Sequence, residues 1–394
     1  MIHVLVIPAW YDIGNPIAGI FFHDYCNAMT GQCKVTLLNF EPHSFSERFK
    51  KDSKEDKIKN KKYHFLKMDY YNPIPGNLFG LNAKFQRKMM LKQATSLIDN
   101  YMKQAGKIDV IHIQSVCNNM TPIIAVELSK QFNIPYLVTE HYTSFKEAGD
   151  DNYLPFSTFN EIKSIVTNAS MRIAVSDFAS SYCEKCFGVS FQTVYNIISN
   201  SFLGTNLNTK NKRSSLFSFL CVGDLKKRKG QLYLLQSFAQ IVSHCQDITL
   251  TLIGKGDDEP ELLNLIKTLG IEDKIKIYNY LPIEKFIEVM DGANVIVSAS
   301  ESELFGLTIV EGFFRGKPAL ATRSGGPEEL INERNGLITN YADVNGMAEN
   351  MKYMYDHYED YNPKVISDEA MSKFSEKAIV PIMINNYKKV IEKK

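Results

Sequence analysis

Between residues 298 and 336 a β-branched strand end runs through Ser-Ala-Ser-Glu-Ser-Glu-Leu-Phe-Gly-Leu-Thr-Ile-Val-Glu-Gly into a helical pattern that closes on Arg-Gly-Lys-Pro. A strand that feeds straight into a helix leaves the backbone N–H groups around Phe305, Gly306 and Leu307 without intrahelical acceptors. The helix dipole adds partial positive charge there, so an anionic group such as a diphosphate is the expected ligand. Glu303 and Glu311 are eight residues apart. On one helix they would be separated by about 12 Å, beyond the roughly 5 to 9.5 Å of a glycosidase carboxylate pair. They are expected to touch different parts of one elongated ligand. Ser324, Gly325, Gly326, Pro327 and Glu328 then read as a loop whose glycines let the backbone approach that ligand.

Metal chemistry finds little support. No Asp-x-Asp stands at a convincing strand end, and Asp257-Asp258 follows a glycine loop where acidic residues ordinarily begin a helix. The seven cysteines are odd in number and thinly spread, and Cys183/Cys186 is the single CxxC, without a second pair or clustered histidines. Buried structural thiols in a reducing compartment are expected.

The elements that must position these groups alternate between short β-branched runs and longer helical patterns, the signature of βαβ units and parallel sheets. Strands are expected at 2–7, 35–38, 110–113, 136–139, 172–175 and 193–195, then at 218–222, 248–253, 274–278, 295–298 and 318–321. The polar stretch 199–215, weak in periodicity, reads as an interdomain linker. The expected organisation is a first domain at 1–206, a second at 207–370, and a helix at 371–394 packing back on the first. Two doubly wound domains of this kind place ligands in a cleft at the carboxyl ends of their strands. No internal repeat of 20 to 50 residues is visible.

At 394 residues, 44% hydrophobic and 23% charged, the chain is long enough for two or three packed domains and too apolar for wholesale disorder. Lys plus Arg number 45 against 44 Asp plus Glu, so a net charge of +1 offers no global field for nucleic acid. The amino terminus lacks a basic region and cleavage site and reads as a core strand, and no stretch reaches the about 18 apolar residues of a spanning helix. Residues 50–62 are lysine-dense: either a solvated loop or a polybasic patch for anionic lipid. The following helix, about 83–103, carries Phe85, Met89, Met90, Leu97, Ile98 and Met102, either a core stripe or a membrane face.

The spacing of Glu303 and Glu311 resembles the E-x7-E motif of the family-four retaining glycosyltransferases of the GT-B fold. Gly316-Lys317-Pro318, Gly325-Gly326 with Glu328, and Asn335-Gly336 fall where that family has its downstream elements. Val222-Gly223-Asp224-Leu225 with Lys229-Gly230, and Ile253-Gly254-Lys255-Gly256, resemble its upstream ones. In the first half the resemblance rests on the shorter Thr139-Glu140-His141, Ala174-Val175-Ser176 and Tyr195-Asn196.

The resemblance implies an α/β GT-B enzyme, two Rossmann-like doubly wound domains facing an interdomain cleft, with a nucleotide-sugar donor on the second domain and an acceptor on the first. Glu311 would accept from the ribose hydroxyls and Glu303 would face the transferred sugar. Lys229 would pair with the diphosphate, with Phe305, Gly306 and Leu307 offering N–H groups. Gly223, Ile253 and Gly254 would border the nucleotide, Gly19 would approach the phosphates, and His141 would lie near the anomeric carbon. Asp224 stands where the family commonly has Arg, so Arg228 and Lys229 are expected to supply the missing charge, with Asp224 paired to a neighbouring cation.

No metal and no cofactor beyond the nucleotide-sugar co-substrate is implied. A UDP-sugar is the first expectation and GDP-mannose the second. The acceptor would be a glycan or lipid-linked saccharide of bacterial surface polysaccharide synthesis. The setting is cytoplasmic, at the inner face of the plasma membrane where the lysine segment meets anionic lipid. The competing classes are an epimerase or phosphorylase of the same fold, against which the ordered motifs argue, and a non-catalytic binding subunit, which Asp224 favours.

Overall fold

The computed structural model describes residues 1–11, 19–43, 60–71, 81–117, 120–141, 156–204, 207, 211 and 216–393. The segment 12–18, residues 50–59 of the lysine-dense stretch and most of 205–215 lie outside the described residues. The chain divides into two compact units: Met1–Val175 with Ala179–Ile197 and Ile379–Lys394, and Ser176–Phe178 with Ile198–Ala378.

In the first unit, strands β1 (His3–Pro8), β2 (Lys34–His43), β3 (His64–Tyr71), β4 (Val110–Gln114), β5 (Tyr136–Glu140), β6 (Met171–Ala174) and β7 (Gln192–Thr193) alternate with helices α1 (Ile20–Met29), α2 (Leu81–Ala105), α3 (Thr121–Phe132), α4 (Phe156–Thr167) and α5 (Asp177–Phe187). They form a parallel sheet in the order β3-β2-β1-β4-β5-β6-β7. Every residue of β1, β4 and β5 is buried, as an interior parallel strand covered on both faces requires.

The second unit carries β8 (Phe217–Val222), α6 (Gln231–Val242), β9 (Ile248–Ile253), α7 (Glu259–Leu269), β10 (Ile275–Tyr278), α8 (Ile283–Gly292), β11 (Val295–Ser298), α9 (Leu307–Phe314), β12 (Ala319–Thr322), α10 (Gly326–Leu330), β13 (Gly336–Thr339), α11 (Val344–Asp356) and α12 (Pro363–Phe374). Its sheet is parallel in the order β10-β9-β8-β11-β12-β13. The last helix, α13 (Glu376–Glu392), enters the first unit from Ile379 onward and buries Met383, Tyr387 and Val390 there.

Two strands escaped the sequence. β3 lies at a sheet edge, where polar residues alternate with half-buried aromatics, and β13 is a four-residue run opened by glycine. On α2 the core face is Met90, Ala94, Ile98 and Tyr101, whereas Phe85 and Met89 are 55% and 44% exposed. The expected core stripe is therefore split, with its first two members turned outward.

A buried polar chain ties α13 into the first sheet. Tyr25 Oη lies 2.6 Å from Tyr387 Oη, which lies 2.7 Å from His112 Nδ1, and His112 Nε2 lies 2.7 Å from Thr139 Oγ1. Burial lowers the His112 imidazole to about 3 and that of His23 to about 4. Both are neutral in the fold, while the unfolded chain takes up their protons below pH 6.5, so this stability is complete above pH 6.5 and lost as pH falls toward the folded values. Between pH 7 and 5 the loss approaches about 2 kcal/mol for each fully shifted histidine. Denaturant unfolding across that range is expected to show it, and His112→Gln to flatten the slope; a pH-independent midpoint would contradict this.

Candidate nucleotide-sugar site

In the second sheet the strand order reverses between β8 and β11, so the loops leaving their carboxyl ends diverge there and open the crevice where doubly wound sheets bind ligands. Lys229 comes from the loop after β8, on a 3-10 turn at Lys227–Lys229. Glu303 comes from the loop after β11. The Lys229 ammonium donates to Glu303 Oε1, which also accepts from Ser300 Oγ at 2.8 Å. The two side chains are only 17% and 22% exposed. Low exposure strengthens their attraction relative to a surface pair.

Glu303 is held by its backbone as well. Its N–H donates to Ser324 O at 2.9 Å and its carbonyl accepts from Gly326 N at 2.8 Å, a parallel bridge to Gly325. Glu303 therefore precedes the helix and does not share it with Glu311, which lies half-buried on α9. The 12 Å one-helix separation does not apply to this pair. Gly306 caps α9 at φ 100°, a left-handed conformation that L side chains rarely adopt. The N–H groups of Leu307 and its successor begin the helix as expected. The Phe305 side chain is buried against Phe374, ring centroids 5.6 Å apart, so only its backbone can serve a ligand.

The floor of the crevice depends on close backbone approach. A Cβ on Gly254 would stand 2.0 Å from Gly223 O, and one on Gly223 would meet the Lys229 methylenes at 3.7 Å. Ile253 is a buried core residue at the end of β9. Asp224 accepts from Tyr280 Oη at 3.2 Å and has Lys226 Nζ at 3.9 Å, so the expected pairing with a neighbouring cation is present and Lys226 makes it. Tyr280 was missed by the sequence reading, since an exposed aromatic after β10 carries no motif; burial, then the Asp224 carboxylate, raises its phenol. Arg228 is exposed, and its carbonyl accepts from Glu301 N at 2.8 Å. The 324–328 segment is stiffer than a simple ligand loop: Glu328 accepts from Gly325 N at 3.0 Å and pairs with Arg323. Among the described residues no three His, Cys, Asp or Glu side chains cluster as metal ligands.

The first unit places His141 just past β5. Its Nε2 lies 2.7 Å from Gln114 Oε1 at the end of β4, and its ring lies 5.0 Å and 5.5 Å from those of Phe21 and Phe22 on α1. Burial lowers its imidazole to about 3. The preceding Glu140 is buried and accepts from Ser115 Oγ at 2.5 Å, Val116 N at 2.9 Å and His141 N at 2.8 Å. Gly19 is the left-handed cap of α1, φ 81°. The loop that precedes it lies outside the described residues.

Two parallel α/β sheets, with a lysine, a carboxylate and a helix start gathered at the switch point of the second, have the GT-B architecture of the solved structures they resemble. Residues 205–373 match the family of glycosyl transferases group 1, which supports a glycosyltransferase. The chain is similar to D-inositol 3-phosphate glycosyltransferase of Corynebacterium urealyticum, 27% identical over 305 residues covering 71% of this chain and 70% of the relative. Among solved structures it resembles sucrose-phosphate synthase of Thermosynechococcus elongatus, with a TM-score of 0.76 at 19% identity and all of both chains covered. It also resembles HepE of Anabaena in complex with UDP and glucose, with a TM-score of 0.72 at 17% identity over 98% of this chain and 99% of that one.

Gly254→Ala drives a methyl group into Gly223 O and is expected to lower the melting temperature of the second unit by roughly 5 °C or more. Gly292→Ala, where a Cβ meets nothing within 4 Å, is the control and leaves it within about 1 °C. Calorimetry of both variants checks the contrast.

Proposed function

We propose that the protein moves a sugar from a nucleotide-sugar donor, a UDP-sugar before GDP-mannose, to a glycan or lipid-linked acceptor with retention at the anomeric carbon. The observation that carries this reading is the pairing of Lys229 with Glu303 beside the start of α9, at the switch point of the second sheet. Departure of a nucleoside diphosphate develops negative charge on phosphate, and preorganised donors aimed at that charge are usually the largest catalytic term. Lys229 has three donors, so it can keep Glu303 and still reach a phosphate oxygen, with Arg228 on the same turn and the first N–H groups of α9 beside it. In this reading no divalent metal is needed.

The anomeric C–O bond to phosphate breaks, the acceptor oxygen bonds the same face of the anomeric carbon, and the acceptor proton passes to the leaving phosphate oxygen. Glu303 faces the transferred sugar and Glu311 accepts from the ribose hydroxyls. Support for UDP comes from HepE, which shares the fold and holds UDP.

Binding of UDP, followed by calorimetry in the presence of a chelator, is expected to be retained by the native protein and weakened about tenfold by Glu311→Gln, the loss of a charge-assisted hydrogen bond. Lys229→Ala is expected to cost about a hundredfold or more in donor hydrolysis, screened over UDP- and GDP-sugars. Binding that disappears with chelator and returns with magnesium overturns the metal-free reading, and a fully active Glu311→Gln overturns its assignment.

The acceptor is read as membrane-associated, in surface polysaccharide synthesis. Exposed Phe85 and Met89 on α2 stand near exposed Lys88 and Lys92, an apolar edge among cations suited to anionic headgroups, whereas Arg87 is taken up by Glu161 at 3.0 Å. No helix among the described residues is long and apolar enough to cross a membrane. Cosedimentation with phosphatidylserine vesicles is expected, reversed by salt and reduced severalfold by Phe85→Ser with Met89→Ser. Equal recovery with neutral vesicles would defeat the proposal.

A further inference from the structure

The acceptor-side histidine is anchored by a group that no motif of the sequence marks. Gln114 is only 2% exposed and stands at the carboxyl end of β4, on the strand neighbouring the one that delivers His141. Its amide spans two imidazoles: Oε1 lies 2.7 Å from His141 Nε2, and Nε2 lies 3.5 Å from His112 Nδ1. An amide oxygen accepts and never donates, so in this arrangement the proton of His141 resides on Nε2. The far end agrees. His112 Nδ1 has Tyr387 Oη at 2.7 Å, able to donate to its one lone pair while accepting from Tyr25 Oη at 2.6 Å, and its Nε2 meets the Thr139 hydroxyl. An Nδ1 without a proton would repel the amide oxygen and tolerates the amide nitrogen at 3.5 Å, which leaves the amide oxygen toward His141.

We propose that Gln114 is a positioning residue that holds the His141 ring in the Nε2–H tautomer, so that Nδ1 is presented as a hydrogen-bond acceptor for a hydroxyl of the transferred sugar or acceptor. This rests on the reading of His141 as a substrate-facing residue. Nδ1 has no hydrogen-bond partner among the described residues, and the rings of Phe21 and Phe22 flank the imidazole without offering one. Among the described residues the titratable groups next to this ring are Glu140, whose carboxylate is engaged by Ser115, Val116 and the His141 N–H, and His112 beyond Gln114. Burial without a carboxylate beside Nε2 keeps the imidazole neutral, which an acceptor role requires.

The test uses the full chain labelled with nitrogen-15 at histidine. The native protein is expected to show His141 protonated at Nε2 with no ring titration above pH 5. Gln114→Met, near in size and unable to accept, is expected to give mixed tautomers and about a tenfold loss of kcat with donor KM within twofold, read on the nucleotide sugar selected by the donor screen. Gln114→Glu restores an acceptor, so it is expected to recover the Nε2–H tautomer while moving the His141 titration upward and carrying the acid limb of the rate with it. A native His141 protonated at Nδ1, or a Gln114→Met whose tautomer and kcat match the native protein, overturns the proposal. His141→Ala separates the two levels: if that variant is fully active the substrate-facing reading of His141 fails, whereas an inactive His141→Ala beside an unaffected Gln114→Met removes Gln114 alone.

Discussion

Pairing of β8 with β11, and of β1 with β4, is the constraint on which both sites depend. In a parallel sheet every strand leaves by the same edge, and consecutive strands are joined by crossover helices on one face or the other. Where the order turns from descending to ascending, two neighbouring strands send their chains to opposite faces, and their carboxyl ends are left bordering a crevice. Lys229 and Glu303 are 74 residues apart along the chain yet share a hydrogen bond because their strands adjoin at that point. Gln114 and His141 meet for a related reason, on the ends of the paired strands β4 and β5.

Charge in the second unit is arranged in opposed pairs. Asp224 engages Tyr280 and lies near Lys226, and Glu303 engages Lys229. These pairs differ in setting. Lys226 and Asp224 are 49% and 41% exposed, so water screens them, while the Lys229 pair is sheltered by the crevice. On the proposed reading, a phosphate arriving beside Lys229 would meet a cation already oriented, which would remove part of the ordering cost of binding. The backbone supplies the rest of the preorganisation: Glu303 is clamped on both sides of its Cα, and Gly254 lets the ends of β8 and β9 close to a distance no side chain would permit.

The first unit is built on the opposite principle, a buried network in which histidines are neutral and polar atoms are matched donor to acceptor. Such networks are costly when half satisfied and specific when complete. Here the network also recruits Tyr387 from the last helix, so the far end of the chain contributes to the strand that carries Gln114. The fold thereby couples closure of the chain to the order of a candidate site residue.

The alternation of β-branched runs with helical patterns was sufficient to read two parallel α/β units, because interior strands buried on both faces have no freedom to be polar. It failed at β3 and β13, an edge strand and a four-residue run, since neither is obliged to be continuously apolar. The spacing of Glu303, Glu311 and the surrounding glycines was legible because a strand-to-helix turn is local, set by caps and by backbone conformation. What remained illegible was everything decided across the sheet: that Glu303 is a bridge residue facing Lys229 and not a helix neighbour of Glu311, that Asp224 meets Tyr280, and that a glutamine with no motif of its own holds His141. Local periodicity and turn chemistry belong to neighbours along the chain, and the sequence by itself determines them. Strand order brings together residues separated by tens or hundreds of positions, and only the tertiary structure decides which of their side chains share a proton.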